Sequence, residues 1–179
     1  MTRRLVLPVL TLFGASCVAH ADEVVIDFEQ AEIGKPVPTW TEKGVVFNLD
    51  GPLVRSKAAG RVVFFPHLAT GHIGIVNAMA TEQAVPLRAT FPDKVSSVTL
   101  VLWGSTGCPA LIEAFDEKGQ VVDRVSVAAV PGRKAPGDPI PFFELTVKAA
   151  AIAAIRFSGP RDGEFLAADA IRFTIAGAK

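Results

Sequence analysis

Short apolar runs recur along the chain, each bounded by Gly, Pro, Asp or Lys: EVVIDF, GVVFNL, GRVVFF, IGIVN, VPLRATF, SSVTLVLW, ALIEAF, QVVDRVSV, PFFELTV, IAAIRFS and AIRFTI. Runs of this length, closely spaced and without intervening helical periods, predict an all-β sandwich or barrel. SSVTLVLWG is apolar on both faces from Leu100 onward, as a central strand covered above and below must be. In ALIEAFDEKGQVVDRVSV, residues Asp116 to Gly119 form a four-residue hairpin turn, with Gly119 where a positive φ is needed. Alternation in its second arm puts Val121, Asp123 and Val125 on one face and Val122, Arg124 and Ser126 on the other. Only VKAAAIAAI has helical character, enough for a turn or two, and its end runs into strand-forming residues. The Pro-rich VPGRKAPGDPIP, residues 130–141, reads as an exposed loop on one edge.

The amino end changes the picture of where the domain begins. Residues 1–21 combine Arg3 and Arg4, an apolar run from Leu5 to Val18 and a small-x-small ending, Ala19-His20-Ala21. That is a secretory signal, which predicts export to the periplasm or beyond and one folded domain over residues 22–179. Lipidation at Cys17 is the alternative, although Gly14-Ala15-Ser16 lacks the Leu expected at the first position. No later stretch approaches the ~18 consecutive apolar residues of a transmembrane helix. Without Arg3 and Arg4 the domain carries 16 basic against 18 acidic residues, scattered, which argues against nucleic acid as a partner. Cys108 is then the sole cysteine, so no internal disulfide forms; the expectation is a buried small residue, with a reactive thiol as the alternative.

Candidate chemistry is sparse. The chain has no G-x-S-x-G, H-E-x-x-H, P-loop or C-x-x-C motif. His67 and His72 lie five apart in FFPHLATGHIGIVN, but no Cys, Asp or Glu falls between Lys57 and Glu82 to complete a local metal site. They read instead as loop histidines, serving as hydrogen-bonding groups in a polar cleft. Glu113, Asp116, Glu144 and Glu164 are candidates for the paired carboxylates of glycoside hydrolysis.

In IDFEQ, Asp27 and Glu29 share a face if the strand continues. In FLAADAIRFT, Asp169 shares a two-residue period with Ile171 and Phe173, which puts a carboxylate on the inward row. A buried carboxylate needs a partner. If the first and last strands are neighbours, Asp169 joins Glu29 and backbone carbonyls around Ca²⁺, an ion that takes six to eight oxygens. Turn amides, Arg172 or Arg156 are the alternative partners.

VIDFEQAEIGKPVPTWTEKGVVF at one end and IRFSGPRDGEFLAADAIRFT at the other resemble exported bacterial jelly-roll domains of the galactose-binding-like type, close to carbohydrate-binding modules. The resemblance implies an antiparallel two-sheet sandwich of jelly-roll topology and a structural calcium held by Glu29 and Asp169. The chain departs from that outline at Ala168, where an acidic partner is common. Sugar binding needs an exposed aromatic face beside polar groups; the chain has no Tyr, Trp40 lies in a turn-rich segment, and Trp103 ends the core strand. The expectation is a non-catalytic module for a glycan or another envelope component, with contacts from Trp40, His67, His72 and Asn77. A small hydrolase using Glu113 or Glu144, or an adhesion module binding another exported protein, are the alternatives.

Overall fold

The structure, a computed structural model, describes residues 23–35, 37–50, 63–68, 70–76, 86–104, 106–158 and 166–177. Residues 1–21, read above as a signal and containing Cys17, lie outside these residues, as do Asn77 and Glu164.

Every regular element among the described residues is a strand. In chain order they are β1 (Glu23–Ile26), β2 (Trp40–Glu42), β3 (Val45–Leu49), β4 (Val63–Pro66), β5 (Ile73–Val76), β6 (Leu87–Gly104), β7 (Ala110–Phe115), β8 (Val121–Val127), β9 (Phe143–Ser158) and β10 (Leu166–Ile175). All pairings are antiparallel.

Two strands are far longer than the rest, and they explain how one hydrogen-bonded network makes two layers. Residues 87–90 of β6 pair with β3 and with residues 154–157 of β9, which pairs in turn with β7. Beyond a register shift between Thr90 and Val95, β6 pairs with β10 and with residues 143–148 of β9. Pro92, Asp93 and Lys94 occupy this corner, exposed, where a missing N–H costs the ladder little. The first layer therefore runs β2-β3-β6-β9-β7-β8, and the second β4-β5-β10-β6-β9, with β1 beside the far end of β10. The fold is an all-β antiparallel jelly-roll sandwich.

One apolar cluster draws on both layers: Phe47, Leu87, Ile112, Ile155 and Phe157 from the first, Val98, Leu100, Leu102, Ile171 and Phe173 from the second. Burying each large side chain contributes about 1.5–3 kcal/mol. A smaller cluster of Val76, Trp103 and Ala167, with Phe65, Ile140 and Phe142 against it, lies under the 130–141 loop. Cys108 is buried, with its Sγ donating to the Thr106 carbonyl at 3.6 Å.

Several expectations are corrected. VPLRATF and SSVTLVLW are one strand, β6, and PFFELTV and IAAIRFS are both part of β9. VKAAAIAAI is extended rather than helical, because Val147 pairs with Val98 and Ile152 with Val95, and burial of those two side chains overrides the helix propensity of alanine. The β2–β3 hairpin was not expected; Lys43 (φ 47°) and Gly44 (φ 79°) give it the two left-handed residues of a type I′ turn. The turn at Asp116–Gly119 forms as expected, with Gly119 at φ 75° and the Asp116 carboxylate accepting from the Lys118 and Gln120 amides at 2.9 and 2.8 Å.

Candidate functional site

The first and last strands do lie side by side: Val24 pairs with Phe173 and Ile26 with Ile171. The row assigned to Asp169 is different from the one its spacing suggested. Against β6, Ala168 pairs with Leu102 and Ala170 with Val101, so Asp169 is the extra residue of a β-bulge. The inward row is Leu166, Ala168, Ile171 and Phe173, and the bulge turns Asp169 off it while leaving its side chain only 14% exposed. The pairing of Asp27 with Glu29 on one face also fails. β1 stops at Ile26, and Phe28 takes φ 57°, a position that costs a bulky residue roughly 1–3 kcal/mol. Packing of the buried Phe28 ring against Phe47 and Phe64, at 5.3 and 5.9 Å, offsets that strain. Asp27 Oδ1 then accepts from the Glu29 amide at 3.3 Å, and Glu29 swings to the start of β5, where its Oε1 accepts from the Ile73 amide at 3.3 Å.

His72 completes this corner. Its Nδ1 is 3.5 Å from Asp169 Oδ2 and 3.9 Å from Glu29 Oε1. Gly74 permits the approach: a Cβ there would stand 3.1 Å from Trp103 Nε1 and 3.2 Å from the Ala168 carbonyl, so a side chain would push β5 off the bulge. Asp169 Oδ1 is buried without a hydrogen-bond partner. Burial holds the Asp169 carboxyl above its ordinary range; His72 opposes the shift and Glu29 adds to it. Neither arginine considered as a partner serves it, since Arg172 bonds Glu144 at 2.5 Å and Arg156 bonds Glu113.

As a place for calcium the corner fits in its oxygens and not in its nitrogen. Asp169 Oδ1 and the Glu29 carboxylate suit a hard ion, whereas the His72 imidazole does not. Among the described residues no three His, Cys, Asp or Glu side chains form a metal-holding group. The two acids would hold the ion with backbone carbonyls and water completing the shell, and His72, 58% exposed, would turn out to solvent.

The two histidines do not converge. His67 is buried; its Nε2 donates to the Ile140 carbonyl at 2.9 Å and its Nδ1 shares a hydrogen bond with the Thr70 hydroxyl at 3.0 Å. The ring packs against Trp103 and Phe142, with centroids 5.1 and 4.5 Å away. The His67 amide also donates to the His72 carbonyl at 2.7 Å, so one short turn ties the 130–141 loop on one side to the acidic corner on the other. Between that turn and the loop lies a cleft of about 800 Å³, lined by Ile33, Phe65, Leu68 and Trp103 with Arg133 and Asp138 among its few polar groups. Sequence reading put both histidines in a polar cleft; His67 does line this one, but its walls are mostly apolar and His72 is not among them. Trp40 is not part of it: half-buried in β2, it packs edge-on to Phe64 at 5.0 Å and donates to Glu42 at 3.2 Å.

The described hydrolase candidates are all engaged. Glu113, 4% exposed, accepts from Arg156 Nη2 at 2.5 Å and from Arg124. Burial opposes its ionisation, but hydrogen bonds from Arg156 and Arg124 outweigh that and hold its carboxyl below the usual range. Glu144 pairs with Arg172, and Asp116 caps its turn.

No protein-family model matches the chain, and no curated protein matches it. Solved structures do. A carbohydrate-binding module, BiXyn10A CBM1, is similar at TM-score 0.47 and 12% identity over 86% of this chain and 97% of its own. TmCBM61, solved with β-1,4-galactotriose, is similar at TM-score 0.43 and 14% identity over 83% and 94%. The enzymatically active domain of tailspike protein 4 from bacteriophage CBA120 gives TM-score 0.43 and 16% identity over 74% of this chain, which spans only 20% of that one. At such identities and scores no residue role passes from these proteins, and the jelly-roll assignment rests on the strand order above.

Proposed function

We propose that this chain is an exported, non-catalytic glycan-binding module whose sugar contacts lie in the cleft between the β4–β5 turn and the 130–141 loop, with a structural calcium bridging Glu29 and Asp169. The observation that carries the reading is the cleft itself, an apolar and aromatic floor with a few polar groups at its mouth, which is the composition of small-ligand sites. His67 fixes the two walls to each other, and the ion would brace the turn from behind. The non-catalytic part is supported by Glu113 and Glu144: a glycosidase acid must hold a proton, and both carboxylates are bonded to guanidinium groups.

A glycan array probed with Ca²⁺ and with chelator tests this. Binding of a neutral or acidic glycan, weakened about tenfold or more by Asp138→Ala at the cleft mouth, supports the reading. Silence in both conditions overturns it in favour of a protein partner, and equal binding in both removes the ion from the function.

A further inference from the structure

The outward face of the first layer carries a row of polar side chains that the register builds strand by strand. Asn48, Arg88, Arg156, Glu113 and Arg124 are successive partners across β3, β6, β9, β7 and β8. Their neighbours Phe47, Ala89, Ile155, Ile112 and Val125 pack toward the core, so the row points away from it. With strands about 4.8 Å apart, the three guanidinium-bearing residues span about 15 Å in a straight line.

The arginines are held more firmly than they are neutralised. Arg88 and Arg156 lie over the Phe115 ring, 5.2 and 5.3 Å from its centroid, which fixes their planes. Arg124, 60% exposed, is anchored by the buried Glu113. Among the described residues, these three guanidinium groups face two carboxylates, and the second, Asp50, is reached loosely, at 3.4 Å by Arg88 and 3.9 Å by Arg156. Arg88 and Arg124 therefore keep N–H donors for an incoming acceptor.

We propose that this row is a second binding face, which takes the carboxylate groups of an acidic polysaccharide laid across the strands. The proposal rests on the glycan reading above and names its ligand chemistry. A guanidinium fork matches a carboxylate in two parallel hydrogen bonds, and a uronate polymer presents carboxylates at regular intervals, as the row presents forks. The slight acidity of the whole domain means that selectivity comes from this row and not from a general attraction to polyanions.

Calorimetry with polygalacturonate as the acidic probe and galactan as the neutral one, at low and high salt, tests it. Polygalacturonate should bind, more weakly in high salt. Arg124→Gln and Arg88→Gln should each weaken it about tenfold, and Arg124→Lys, which keeps the charge and loses the fork, should weaken it less. Lys148→Gln, an exposed cation on the other layer, should leave it unchanged. Should Arg88→Gln fail to fold, the exposed Arg124 carries the test. Galactan binding without polygalacturonate binding, or polygalacturonate binding untouched by Arg124→Gln, overturns this proposal and leaves the glycan reading standing; binding of neither probe, with a silent array, removes both.

Discussion

Glu113 and Asp169 set the same physical problem in two parts of the molecule, a carboxylate drawn most of the way out of water, and the fold resolves it in opposite directions. Glu113 stands where both flanking ladders keep register, one pair before the β7–β8 ladder shifts between Ala114 and Phe115, and pairing alone delivers Arg124 from one neighbouring strand and Arg156 from the other. Its carboxyl is held below the usual range. Asp169 stands where the ladder slips by one residue; no arginine is delivered to it, His72 approaches one oxygen at 3.5 Å while the other is orphaned, and its carboxyl is pushed up. A regular sheet supplies counter-charges as a by-product of pairing, and a bulge withholds them, so the bulge is where a foreign cation has something to gain.

The comparison can be broken at several points. The largest effect belongs to Glu113→Leu, which leaves two arginines without their shared acceptor and should cost about 3 kcal/mol, the low end for a broken buried pair because both arginines reach solvent. Urea unfolding at neutral pH reads it, and a loss under about 0.5 kcal/mol would mean that the ladder holds nothing. Next is calcium: at a hundredfold excess over its Kd it should add ~2.7 kcal/mol, which raises the melting temperature by roughly 5–10 °C. Asp169→Asn should abolish that shift, yet in chelator it should melt no lower than the parent, since it removes a buried charge that lacks a full set of partners.

Acid sharpens the contrast further. Because the folded carboxyl of Glu113 lies below its ordinary value of 4.5, the pair contributes stability in full above that value and loses it as the pH falls toward the folded one. Urea midpoints followed into acid should therefore drop for the parent and lose this component of the drop in Glu113→Gln. The smallest effect is that of Arg124→Gln on folding, under about 1 kcal/mol for so exposed a partner, even where its effect on an acidic ligand is large.

The strands were legible because alternation and punctuation are local. What escaped was every place where the chain departs from its own local rule. Pro92-Asp93-Lys94 reads as the end of a strand, yet β6 continues through it, bent into the second layer. Nothing in IDFEQ marks Phe28 as left-handed, and nothing in FLAADAIRFT marks one residue as surplus; in each case a slip of one position moved the acids to other faces. Glu29 and Asp169 nonetheless met, because the meeting depended only on the ends being neighbours. The role of His67 was hidden for another reason: its acceptor, the Ile140 carbonyl, lies 73 residues away. Glu113 read as a candidate catalytic acid until the register named its two arginine partners.

The strands shared by both layers have a mechanical consequence. In a sandwich made of two separate sheets, a pull on one is resisted only by side chains sliding past those of the other. Here β6 and β9 carry covalent backbone through the corner, so tension applied to one layer passes directly into the other, and the layers cannot shear apart without tearing both ladders together.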